Sequence, residues 1–407
     1  MLEVAVAGAG IGGLTAALAL AQIGVRVIVY EQSASLEPVG AGVQISPNAA
    51  MVLRRLGVLD RLRTSAVSPT EVLMRRGRDG AVLASVPLDD AEGRYGAPFI
   101  VVLRADLQAA LLARIADTAA VTLQLGRGIT GYQERRGRIA LRFTEDHGAS
   151  SEADVLVGAD GIRSTIRRQM IGSGLDDARA SGRSAFRSLV PREAAEPEAL
   201  LPRSNLWLGR RAHLVHYPVA GGTMVNVVAV IDEGASVRGD GFWSQPADAA
   251  TVESAFKGWS EAARRLVAAA PTWRKWPLFD RPPLQRWSEG AVTLLGDAAH
   301  PMLPFLAQGA AQSIEDAATL ADSIGRMSST DLRAALRSYQ SQRLSRTARV
   351  QAQSRRQGHI YHLGPPASAL RDLVIAGLGR DRLAASMDWL YDAPVAVRRF
   401  AEAGGAP

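Results

Sequence analysis

The sequence has 407 residues, 47% of them hydrophobic, enough for roughly two or three domains' worth of buried core, which excludes a disordered chain. Cysteine is absent, which excludes disulfides, thiolate metal sites and a cysteine nucleophile. The formal net charge of +7 comes from arginines scattered along the chain and not from a basic block, so it reads as a solvated surface that favours an acidic ligand over nucleic acid.

From position 4 to position 25 the chain carries no charge, a pattern shared by membrane spans and signal peptides. Glu3, however, stands where a signal would be positive, no small-residue cleavage pattern follows, and glycines 8, 10, 12, 13 and 24 interrupt the run. A soluble cytoplasmic protein with no membrane span and no nucleic-acid partner is expected. Residues 3–7 predict a short buried strand, 8–13 a turn, 14–23 an apolar helix and 25–31 a second strand. Such continuous apolar strands suit a parallel sheet covered by helices on both faces.

Met51, Leu53, Leu56 and Leu59 give helical spacing over 49–63. A strand at 99–103 feeds a helix from about Asp106, with Leu107, Leu111 and Ile115 on one face, and short strands follow at 121–125, 139–143 and 154–157. From 183 to 232 the pattern changes to strands with polar interruptions at 205–208, 213–219 and 223–231, joined by turns such as Gly221-Gly222, which predicts an antiparallel sheet inserted on the substrate side. Trp273 and Trp276 read as packing a linker, 292–295 as a buried strand, and 308–324 as a helix. Beyond 330 the segments are mostly helical, and 403–407 are expected to fray. The expected fold is α/β with an α+β insert: a Rossmann-like dinucleotide domain of 1–75, 97–180 and 280–330, a substrate-binding domain of 76–96 and 181–279, and C-terminal helices over 331–407.

Gly8, Gly10 and Gly13 satisfy G-x-G-x-x-G between a strand and a helix, with Gly12 inside the motif. In that context Gly8 permits the turn, Gly10 lets a pyrophosphate approach the backbone, and Gly13 allows close helix-to-sheet packing. Glu31, at the end of the second strand and followed by Gln32, can accept both hydroxyls of an adenosine ribose. The motif alone does not separate a nicotinamide dehydrogenase from a flavoprotein. Two later motifs do: Gly158-Ala159-Asp160-Gly161, and Gly296-Asp297-Ala298-Ala299-His300-Pro301 with Gln308-Gly309-Ala310 after it, each following a buried strand.

Together these three motifs resemble those of the flavin-dependent aromatic hydroxylases, the para-hydroxybenzoate hydroxylase-like class. The resemblance implies FAD as cofactor, NADH or NADPH as transient reductant, and O2 as co-substrate. It also implies that Asp297 holds the ribityl chain, that Asp160 supports the pyrophosphate region and the passage of the nicotinamide, and that Arg104 contacts FAD. Backbone N–H groups of Gly309 and Ala310 at a helix start suit the negative charge of a reduced flavin. In this class oxygen adds to reduced FAD as a C4a-hydroperoxyflavin, which an electron-rich ring attacks after its phenol is deprotonated.

Position and polarity within the sequence select the candidate base. In His213-Leu214-Val215-His216-Tyr217, strand alternation puts His213 and Tyr217 on one face and His216 on the other, so the first two can converge on a ligand; the plain alternative is a satisfied core histidine. Opposed rings also argue against a metal site at this spacing. Phe186, Arg187 and Trp207 are secondary pocket candidates, Arg187 as a carboxylate ligand or an ordinary surface ion pair. His359 and His362, one helical turn apart, read as surface or packing, and His300 as a shaper of the flavin loop.

The segment from Gly42 and Val43, which are candidate flavin contacts, through Gln44 to Asn48 is similar to the 3-hydroxybenzoate 6-hydroxylases, as are Arg346-Thr347-Ala348-Arg349 and Asp388-Trp389-Leu390-Tyr391. That family carries glutamine where this chain has Pro304, and Pro304 instead resembles salicylate hydroxylases and 6-hydroxynicotinate 3-monooxygenases, the latter with histidine where Gln44 stands. The implied substrate is a small phenolic acid of hydroxybenzoate or salicylate type, with a hydroxynicotinate as the alternative. A flavin dehydrogenase or oxidase and a non-catalytic flavin-binding sensor are the rival classes. The resemblance also suggests a homodimer through the C-terminal helices.

Overall fold

The computed structural model describes residues 1–36, 41–144, 151–172, 178–234, 244–326 and 331–403. Gly404 to Pro407, expected to fray, lie outside the described residues. A six-stranded sheet runs in the order Ser288–Glu289, Val292–Leu294, Val155–Gly158, Glu3–Ala7, Arg26–Tyr30, Val121–Gln124, parallel except for its first pair. Its inner strands Val292–Leu294, Val155–Gly158 and Glu3–Ala7 are largely buried, and the helix Ile11–Ala21 connects Glu3–Ala7 to Arg26–Tyr30, as the uncharged N-terminal run predicts. That helix has 11 residues, and no described helix is long and apolar enough to cross a membrane.

The helix expected over 49–63 is divided. It runs over Pro47–Arg55 with proline at its first turn, stops at Gly57 with φ +69°, and resumes as the 3-10 turn Leu59–Leu62. The left-handed glycine ends the helix although the apolar spacing continues past it.

An eight-stranded sheet faces the first. Its order is Gln245–Ala247, Trp273–Asp280, Arg179–Pro191, Met224–Asp232, Ala212–Val219, Ser204–Gly209, Glu71–Arg76, Val82–Pro87. All its pairs are antiparallel except Ser204–Gly209 with Glu71–Arg76. Glu71–Arg76, expected on the cofactor side, thus belongs to this sheet. Trp273 and Trp276 sit in one of its strands and not in a linker: Trp276 pairs with Ala185, and Trp273 is buried in the core behind the sheet.

Alternation divides this sheet cleanly. Phe186, Trp207, Leu214, Val227 and Ala229 face outward and pack under the helices Ala249–Ala255 and Glu261–Ala268, where Phe256 is fully buried. Each such side chain contributes about 1.5 to 3 kcal/mol by leaving water. The opposite face, with Arg187, His213, Val215, Tyr217 and Val228, turns toward the six-stranded layer. The 30-residue helix Leu332–Tyr361 packs along the helix Gly309–Gly325 and ends beside this inner face.

Candidate active site

Between the two layers lies a cavity of about 440 Å³, bounded by the glycine-rich turn, the segment around Asp297 and the inner face of the eight-stranded sheet. The turn is built as its glycines require. A Cβ on Gly8, whose φ is +101°, would sit 2.6 Å from the Ala159 carbonyl oxygen, and one on Gly13 would sit 2.0 Å from the Gly8 oxygen. A Cβ on Gly10 would meet nothing within 4 Å, because Gly10 opens into the cavity. Gly12 instead packs against Leu295 and Ser313. Glu31 braces the turn from behind, accepting the N–H of Ala9 at 2.8 Å on one oxygen and that of Ser33 at 2.9 Å on the other. Gln32 is exposed and packs near Gly128, away from the cavity wall.

Asp160 heads the short helix Thr165–Ile171. One carboxylate oxygen accepts the N–H groups of Thr165 at 2.7 Å and Ile166 at 3.3 Å, while the other is buried with no hydrogen-bond partner among the described residues. Burial pushes this carboxyl up, against those hydrogen bonds. Ala159 and Gly161 on either side reach the cavity. Asp297 stands open to the cavity though deep in the molecule, and burial raises its carboxyl against the pull of His300 and Arg104. Arg104 begins the helix Arg104–Ala116 and lines the same wall, as do Gly42 and Val43. Gly309 and Ala310 open the helix Gly309–Gly325 onto the cavity, with empty space where a Gly309 Cβ would be.

Beneath the Asp297 segment lies a buried charge cluster that sequence reasoning missed. Asp316 accepts from His300 at 2.6 Å, from Arg343 at 2.6 Å and from the Gly296 N–H at 2.9 Å. Glu315 is bound by Arg343, by Arg346 at 2.7 Å and by Asn48 at 2.5 Å. Burial raises both carboxyls, but the cationic partners outweigh it: Asp316 is held at about 2, and Glu315 also lies below its ordinary value. The signal was present as two adjacent acids within a largely buried helix, Gly309–Gly325. His300, expected to shape the flavin loop, is bonded to Asp316 beneath it.

The sheet side of the cavity gathers His213, Tyr217, Arg187 and Gln44, with Pro304 opposite. Gln44 donates to the Ser204 hydroxyl at 3.3 Å. Tyr217 is buried beside Gly42, where an added Cβ would come within 2.7 Å of its ring. Arg187 stacks its guanidinium 5.1 Å over Trp276 and makes no ion pair or hydrogen bond among the described residues, so the ordinary surface ion pair is not formed. His213 lies 2.7 Å from His362, Nδ1 to Nε2, and its ring is edge-on to Phe305 and Tyr361. His362 is thus a partner of the candidate base and not mere helix packing. His216 faces the other way, toward Trp207, and burial holds it near 3. Phe186 and Trp207 do not reach the cavity; both belong to the core behind the sheet.

The residues fit a flavin dinucleotide. Open space at Gly10 and Gly309 and the carboxylate of Asp297 line one cavity, with Asp160 set behind its wall between Ala159 and Gly161. Comparison with known proteins agrees. A family described as FAD binding domain matches residues 1–354. The chain is 38% identical to 3-hydroxybenzoate 6-hydroxylase 1 of Aquipseudomonas alcaligenes over 96% of its length and 97% of that protein's. It is 40% identical to a 3-amino-4-hydroxybenzoate 2-monooxygenase of Streptomyces platensis, covering 97% of this chain and 98% of that one. A solved salicylate hydroxylase substrate complex superposes with a TM-score of 0.83 at 28% identity, covering 100% of this chain and 99% of the other.

Proposed function

Because the chain belongs to the FAD binding domain family and is an FAD-dependent aromatic monooxygenase, we propose that it hydroxylates a small aromatic acid bearing a phenolic hydroxyl, held between the cofactor layer and the eight-stranded sheet. When bound, FAD would supply the oxygen-transfer chemistry, with NADH or NADPH as reductant, O2 as the source of the oxygen put on the ring, and water as the second product. Gly10 and the helix start behind it would hold the pyrophosphate, Asp297 the ribityl hydroxyls, and the Gly309 and Ala310 N–H groups the charge of the reduced ring.

The observation that carries the substrate reading is Arg187. A guanidinium without an acidic partner among the described residues, on the same wall as His213 and Tyr217, suits a carboxylate. With the acid group fixed there, the ring lies across Val215 and Val228, and its hydroxyl is presented toward His213 or Tyr217. His213 accepts the phenolic proton at Nε2, since its Nδ1 is committed to His362. Burial, His362 and Arg183 keep this imidazole neutral, which leaves a ring lone pair free to accept a hydrogen bond from the phenol. Apolar walls from Val72, Met74 and Val86 exclude water from the reacting ring.

A cytoplasmic location is supported by the need for a nicotinamide reductant. A homodimer is supported by the exposed apolar side chains Leu370, Leu373 and Val374 along the helix Ala367–Gly377.

The test is a panel of hydroxybenzoates, salicylate and hydroxynicotinates with the purified holoenzyme. One acid is expected to stimulate NADH or NADPH oxidation with an equimolar yield of hydroxylated product. Reductant consumption that yields only hydrogen peroxide with every acid would contradict the proposal.

A further inference from the structure

We propose that His362 and His213 form a two-histidine proton relay, in which His362 takes up the proton that His213 passes on when the bound phenol ionises. This rests on the reading of His213 as the base. The two rings meet at 2.7 Å, nitrogen to nitrogen, and both are buried.

A hydrogen bond between two imidazole nitrogens holds one proton, so a neutral pair has two forms. When His213 donates from Nδ1, its Nε2 carries a lone pair toward the cavity and can act as a base. When His362 donates from Nε2, His213 presents an N–H to the cavity and cannot.

The transfer balances without any other reactant. The phenolic O–H breaks and its proton bonds to Nε2 of His213; the Nδ1–H of His213 breaks and that proton bonds to Nε2 of His362. The products are a phenolate, a neutral His213 and a His362 imidazolium that retains its own Nδ1–H. The positive charge has moved one ring away from the cavity.

His362 is placed to carry that charge in passage but not to keep it. It caps the C-terminus of the helix Leu332–Tyr361, whose partial negative charge favours a cation, and Asp232 acts in the same direction. Against these stand burial, Arg183 on the neighbouring strand, His359 one turn back and Arg371 on the following helix, which together hold His362 at about 4. Tyr361 and Phe305 close the remaining sides of His213. At neutral pH the pair is therefore uncharged at rest, and a proton received from the phenol is held only in passage. Nδ1 of His362 is buried with no hydrogen-bond partner among the described residues, so the proton stays on His362 and returns along the same path when the ring oxygen is reprotonated.

The experiment uses oxidised holoenzyme and 3-hydroxy-4-nitrobenzoate, whose phenolate absorbs in the visible, mixed below the probe's solution pKa in a stopped-flow instrument. Phenolate should appear rapidly on the wild-type enzyme. His362→Gln, which keeps a hydrogen bond to His213 but cannot pass a proton, should slow its appearance by about ten-fold or more while the probe's Kd changes by less than about two-fold. His362→Ala should be slowed equally and restored by added imidazole.

Phenolate formation at the wild-type rate in His362→Gln overturns the relay, as does a slowed His362→Ala that imidazole does not restore. If His213→Ala forms phenolate as fast as the wild type, the base assignment itself fails. If only the His362 variants behave as wild type, the base assignment stands and the relay alone falls.

Discussion

Replacing Arg187 with methionine separates its role in binding from any role in folding. Among the described residues the guanidinium has no acidic partner, so Arg187→Met leaves no carboxylate stranded there and removes a desolvated charge. The unfolding midpoint should therefore stay the same or rise. A charge-assisted hydrogen-bonded pair contributes about 1.5 to 3 kcal/mol, which at about 1.4 kcal/mol per decade weakens binding of the acid by about 10- to 150-fold. A neutral twin that keeps the ring and hydroxyl but carries an amide in place of the carboxylate should lose less than about three-fold. Titration of oxidised holoenzyme, followed by the perturbation of flavin absorbance, gives both constants. Arg187→Lys should fall between, because it keeps the charge but loses the planar fork. Equal losses for acid and amide would refute the reasoning, and so would a fall of several degrees in the melting temperature.

His213→Ala should slow ring hydroxylation by about two to four orders of magnitude while flavin reduction by NADH or NADPH changes little, measured as separate half-reactions; equal slowing of both contradicts the base assignment. Arg343→Met takes from both Glu315 and Asp316 a buried cationic partner and should lower the unfolding free energy by about 3 to 5 kcal/mol in denaturant melts, with loss of bound flavin; an unchanged midpoint would remove the cluster from the account. Because Asp316 is held at about 2, below its unfolded value, its contribution is complete above about pH 4 and is lost as the pH falls toward 2. Asp316→Asn should flatten that acid limb of the stability curve, and an unaltered limb counts against the cluster. Gly10→Ala should leave the apoprotein's melting temperature unchanged and weaken FAD binding, whereas Gly13→Ala should damage both, since only the second Cβ meets backbone.

The parts of the fold that were readable from sequence are those where one physical cause acts alone. The first βαβ unit was clear because a continuous apolar strand followed by closely spaced glycines and an uncharged helix suits a buried parallel sheet and little else. The alternation of His213, Val215 and Tyr217 correctly placed them on one wall. The same alternation, applied to Phe186 and Trp207, would have sent them to the outer face, away from Arg187 and Leu206; treating them as pocket candidates ignored their parity. Met51 to Leu59 kept a helical apolar period across Gly57, where backbone conformation overrode side-chain pattern. His362 was out of reach for a different reason. Its partner is 149 residues away, and only the packing of the Leu332–Tyr361 helix against the sheet brings the two rings together. The Glu315, Asp316, Arg343 and Arg346 cluster likewise joins two helices whose contact has no local signature.

The central claim is that a flavin and a phenolic acid share the cavity and that oxygen is transferred to the ring there. The most direct measurement is mass spectrometry of the product formed by flavin-loaded enzyme, reductant and the stimulating acid under isotopically heavy O2. One heavy oxygen atom in the new ring hydroxyl is the predicted result. A protein that holds flavin and consumes reductant but yields a product labelled only from water would contradict it.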